Sequence, residues 1–115
     1  MKIINPETFN ETFQYFDKEI IVEIIDIFIN EYPERIEKIS TAIATDNFPD
    51  LKFHAHSMKG VVANFSVPDL QTVARDLEMA GANADKSNVE PLFEELKSKS
   101  QLLLEDLVEI RPQYL

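Results

Sequence analysis

The sequence predicts an all-α fold, an antiparallel four-helix bundle with a short additional helix at the N-terminus. Three observations carry this. Apolar residues recur three and four apart in successive stretches, no segment alternates with period two, and five of the six prolines fall where the helical period restarts. The chain of 115 residues fits one domain, residues 1–115, with 44% hydrophobic residues to fill one core.

Asn5-Pro6 reads as an N-cap followed by proline at the first helical position, and Phe9, Phe13 and Phe16 then give a short amphipathic helix. Asp17 is the expected cap of the next helix. From Glu19 to Asn30 the only polar residues are Glu19, Glu23, Asp26 and Asn30, one narrow stripe, so this helix should be buried on most sides. Pro33 should interrupt or kink it before Ile36, Ile39 and Ile43 carry the period to about Thr45. Asp46, Asn47 and Pro49 mark the third start, and Leu51, Ala55, Met58, Val62 and Phe65 form one face of a helix ending near Asn64. Ser66 with Asp69 reads as a capping box for a fourth helix, with core positions Val67, Leu70, Val73, Ala74 and Leu77 and Gly81 near its end. Ser87 with Glu90 repeats that signature before a long last helix carrying Leu92, Phe93, Leu96, Leu103, Leu107 and Ile110.

Composition removes several classes of function. Two glycines cannot make a phosphate-binding loop or a dinucleotide turn, and the absence of cysteine removes thiolate metal sites and thiol nucleophiles. A net charge of −10 with scattered Lys and Arg argues against nucleic acid. No apolar run approaches a membrane span, and the MKIINPETF start lacks a signal-peptide core, so a cytoplasmic protein is expected.

The two histidines lie in the third helix. On a helical wheel His54 falls about 60° from the centre of the core face and His56 about 140° from it, on the outer side. Two imidazoles so far apart in phase cannot clamp one metal ion. His54 reads as a flank residue with a local hydrogen bond. Lys59, Gly60 and Ala63 share the outer half with His56. An exposed imidazole is substantially neutral at pH 7 and is a nitrogen nucleophile, a nearby ammonium suits a phosphoryl group, and an outward mid-helix glycine leaves room for a second protein.

The run Ala55-His56-Ser57-Met58-Lys59-Gly60-Val61-Val62-Ala63-Asn64-Phe65 resembles the Ala-His-x-Leu-Lys-Gly-x-x-x-Asn-hydrophobic signature of histidine-containing phosphotransfer (HPt) domains. Asn47 to Leu51 is similar to the polar turn before the family's phospho-histidine helix. Leu70, Ala74, Leu77 and Glu78 resemble its Leu-x-x-x-Ala-x-x-Leu-Glu helix, and Phe28, Pro33, Ile36 and Ile39 an upstream segment. Val61, Val62 and Ser66 depart from the pattern, Ser66 standing where the family often has glycine. The resemblance implies a phosphorelay intermediate rather than an enzyme: His56 the phospho-acceptor, Lys59 the phosphate-stabilising cation, Gly60 the clearance residue. The implied partners are receiver domains of response regulators and of a hybrid sensor histidine kinase, with magnesium expected in the receiver and no cofactor in this chain.

Phe53, Ser57 and Ala63 are the candidate docking residues, and a monomer is expected. Phe53 points outward on the wheel, to be covered either by the Phe9–Phe16 helix folding across or by a docked receiver. Starting at Met1 without linker composition, the chain reads as free-standing; an excised domain of a hybrid kinase would read the same. The rival is a helical adaptor or dimerisation module that is never phosphorylated. A helical enzyme using His56 as general base lacks a second catalytic group in the sequence.

Overall fold

A computed structural model describes residues 2–115. Five α-helices follow one another: α1 (Pro6–Phe13), α2 (Lys18–Ala44), α3 (Phe48–Ala63), α4 (Pro68–Ala82) and α5 (Val89–Ile110), closed by a 3-10 turn at Arg111–Tyr114. No strand occurs among the described residues. Helices α2 to α5 form the antiparallel four-helix bundle, each packed on its neighbour in sequence, with α5 returning to α2. The 27 residues of α2 span about 40 Å at 1.5 Å per residue, which sets the long dimension of a body measuring 42 × 22 × 20 Å.

The caps show where local chemistry decides. Asn5 accepts from the backbone N–H of Glu7 and Thr8, and Asn47 from that of Asp50, so both act as N-caps as expected. Asp17 holds the N-cap position of α2, but its side chain makes no capping bond. The two expected capping boxes do not form. Ser66 has a φ of 55°, its hydroxyl lies 3.1 Å from that of Thr12, and Val67 is the N-cap of α4. Ser87 instead bonds Asp85, and α5 starts after Asn88. Two other residues are left-handed, Asp46 and Ala84, each just past a helix end. There the N–H of the next residue closes back on the helix, Asn47 to Ala42 O at 2.9 Å and Asp85 to Ala80 O at 3.0 Å.

Pro33 does not interrupt α2. It is exposed, and the cost of its missing N–H, about 3 kcal/mol, is offset by Phe28, Tyr32, Ile39 and Ala42, buried on either side of it. Nor is α2 buried on most sides. One stripe is buried, while Ile20 and Ile27 remain 44% and 50% exposed, because in a four-helix bundle each helix has an outer face whatever residues it carries. Phe16 lies beyond the end of α1, half exposed, its ring edge-on to Phe13.

The core face predicted for α3 is buried without exception, from Leu51 to Phe65. Phe28, Phe13 and Phe65 meet at the end of the bundle that α1 covers. α1 is held there by an internal anchor. The carboxylate of Asp106, fully buried on α5, accepts from the backbone N–H groups of Lys2, Ile3 and Ile4 at 2.7, 2.7 and 2.9 Å. Burial pushes that carboxyl up, but the three donors outweigh it and hold it below the usual aspartate range. Asp26 and Arg111 form a forked ion pair between α2 and the C-terminal turn.

Candidate functional site

His56 stands on the outer surface of α3 with its side chain 66% exposed. What the sequence left out is the residue across from it. Glu78 of α4 places one carboxylate oxygen 2.6 Å from His56 Nδ1 and the other 2.7 Å from Lys59 Nζ. The antiparallel α3–α4 pair brings the three together, since Lys59 is about one turn from His56 on the same helix and Glu78 lies on the flank of α4 that faces both. Glu78 is only 16% exposed. The hydrogen bond from Lys59 lowers its pKa most; partial burial opposes this, and the bond from His56 adds to the lowering. An ionised carboxylate only accepts, so in the neutral imidazole Nδ1 carries the proton and Nε2 keeps its lone pair.

The other predicted residues divide by face. Gly60 is exposed, and a Cβ built on it would meet nothing within 4 Å. Ala63 is exposed on the same side. Phe53 is 68% exposed. Its ring stands edge-on to His54 at 5.1 Å, and α1 does not cover it: Phe13 of α1 packs on Phe65, roughly 18 Å further along α3. Intramolecular packing of Phe53 under the Phe9–Phe16 helix is therefore excluded. Ser57 turns the other way, toward α2, where its hydroxyl accepts from Arg35 Nη1 at 2.5 Å. His54 is half-buried along the α2–α3 groove lined by Glu34, Glu37 and Lys38, and among the described residues its ring makes no hydrogen bond, contrary to expectation.

Sequence reasoning missed Glu78 and Arg35 as members of the site. Glu78 had a signal in the Leu77-Glu78 pair of the family-like helix; Arg35 had none, being one cation on a long helix.

Among the described residues, no helix is long and apolar enough to cross a membrane. Comparison with curated proteins and with solved structures gives no match. The family model for the Hpt domain matches residues 23–110, from the second turn of α2 to the end of α5, leaving α1, the first turn of α2 and the termini outside. With an exposed histidine on α3 held by a carboxylate of α4 inside the matched stretch, the chain belongs to the Hpt domain family, the histidine phosphotransfer modules of two-component phosphorelays.

Proposed function

We propose that Nε2 of His56 accepts a phosphoryl group from the aspartyl phosphate of one receiver domain and gives it to the aspartate of another. The observation that carries this is the Glu78 bridge: in the neutral ring a carboxylate on Nδ1 favours the proton there, which leaves Nε2 as the nucleophile. In the transfer the P–O bond to the receiver's carboxylate breaks, the N–P bond forms, and the carboxylate leaves with the electron pair. No proton has to move. The ring becomes an N-phosphorylated imidazolium whose Nδ1–H still donates to Glu78, now as a charge-assisted bond. Reversal returns a neutral imidazole.

Lys59 is within one helical turn of the new phosphoryl group and supplies a cation; the magnesium ion and most of the electrostatic stabilisation belong to the receiver. Gly60 keeps the approach open, and Phe53 and Ala63 offer apolar surface for the receiver to bury. Ser57, tied to Arg35, supports α3 against α2 and meets a receiver only at the edge. The reading places the protein in the cytoplasm with its receivers, as a monomer.

A carboxylate on Nδ1 would also suit a general base. His56, however, stands on an open helix surface, and the larger grooves lie elsewhere, between α4 and α5 and where the end of α2 meets the starts of α3 and α5.

Incubation with a phosphorylated receiver should place acid-labile, base-stable phosphate on the protein. His56→Gln should abolish it with helical circular dichroism intact, while His54→Gln keeps it. Label retained in His56→Gln refutes the assignment, and no label on the wild-type chain with any receiver favours the adaptor reading.

A further inference from the structure

Glu78 reaches His56 across a seam where α4 runs very close to α3. Gly81, one turn beyond Glu78, is buried against the backbone of α3. A Cβ placed on it would lie 2.6 Å from Lys52 N, 2.9 Å from Lys52 Cα and 3.0 Å from Phe48 O. These neighbours are backbone atoms, so no side chain can swing aside. Gly81 does not need its conformational freedom: it lies inside α4 and no glycine has a positive φ. By helix propensity alone alanine would be the better residue there. The missing methyl group is a matter of distance between two helices.

We infer that Gly81 is a positioning residue for the phosphotransfer site: its notch sets the α3–α4 spacing at which the Glu78 carboxylate can bridge His56 and Lys59. The inference rests on the phosphotransfer reading of His56 for its meaning, and on geometry for its content. Any residue with a Cβ must open the 2.6 Å approach beyond 3.0 Å, and to 3.4 Å for an ordinary contact. Glu78 is three residues away, about 4.5 Å along a rigid helix, so most of that displacement carries over. That displacement lengthens and weakens the bonds of 2.6 and 2.7 Å made by the two oxygens of one carboxylate. His56 then loses its fixed tautomer, and Nε2 carries the proton for part of the time.

The test is Gly81→Ala, with the ring nitrogens of His56 read by nitrogen-15 NMR at a pH where the imidazole is neutral. In the wild type Nδ1 should carry the proton. In Gly81→Ala the ring should shift toward the Nε2–H tautomer, as in Glu78→Gln, and transfer from the same phospho-receiver should fall about tenfold or more, within the roughly 100-fold that a 1 Å misplacement can cost. The combined Gly81→Ala/Glu78→Gln variant should be no slower than Glu78→Gln alone, because both changes remove one interaction. A folded Gly81→Ala protein with the wild-type tautomer overturns the inference, whatever its melting temperature.

Should Gly81→Ala not fold, Glu78→Asp asks the same question from the other side, by drawing the carboxylate back about 1.5 Å without touching the seam. Loss of the Nδ1–H tautomer in Glu78→Asp supports a reach set by helix spacing, and its retention refutes it. The tautomer is read without any receiver, so a failure of phosphotransfer to His56 sinks the functional reading and leaves this inference to stand or fall on the ring.

Discussion

Gly60 on α3 and Gly81 on α4 are the two glycines of the chain, and they face opposite worlds. Around Gly60 a methyl group would find open space; at Gly81 it would collide with the backbone of the next helix. Among the described residues, the three that do adopt left-handed backbone are Asp46, Ser66 and Ala84, none of them glycine. The usual explanation of a glycine, freedom in φ, therefore applies to neither. Both matter for the side chain they lack. One absence keeps another molecule's path clear, and the other lets two helices of the same molecule close up.

The sharpest way to break this comparison is to fill both positions. Gly81→Leu should destabilise the bundle by roughly 3 kcal/mol, about 10 °C in melting temperature for a chain this size, through overpacking against backbone that cannot yield. Gly60→Gln should do the reverse to stability, adding about 0.5 kcal/mol by helix propensity, while slowing transfer from a phospho-receiver about tenfold. Equal stability losses in the two variants would show that Gly60 is also a packing residue. A smaller effect separates charge from space on the outer face. Lys59→Ala should shorten the phosphohistidine lifetime or slow transfer severalfold with only a modest fall in melting temperature, since it removes a cation and one part-buried bond to Glu78. The smallest effect belongs to the rim. Phe53→Ser should raise the apparent KM for a phospho-receiver a few-fold and leave the unfolding free energy within about 0.5 kcal/mol. An unchanged KM would place the docking surface elsewhere.

Most of the fold was legible because one helix's period reports its own burial. Leu51, Ala55, Met58, Val62 and Phe65 could be assigned to the core, and His56 and Gly60 to the surface, from phase alone. Phase says nothing of which residue on another helix lies opposite. That is why Glu78 could be quoted in a motif and still not be placed on His56, and why Arg35 gave no sign of reaching Ser57. The α2 expectation fails for a related reason: one narrow polar stripe predicts a helix buried on most sides, whereas Ile20 and Ile27 face out of the bundle. Capping boxes failed where backbone conformation outranked side-chain identity. At Ser66 a φ of 55° ends the preceding turn, and the hydroxyl is carried to Thr12.

The Asp106 anchor has a consequence for the order of assembly. It joins residues 102 to 104 apart in sequence, so forming it from an open chain would close nearly the whole polypeptide into a loop for three hydrogen bonds. The surfaces that receive α1 come from elsewhere: Asp106 from α5, Phe65 from the turn after α3, Tyr114 from the last turn. They exist as one surface only when those elements are already packed, and by then the loop left to close is merely the short link between α1 and α2. Helices α2 to α5 should therefore assemble first, with α1 docking onto them afterwards.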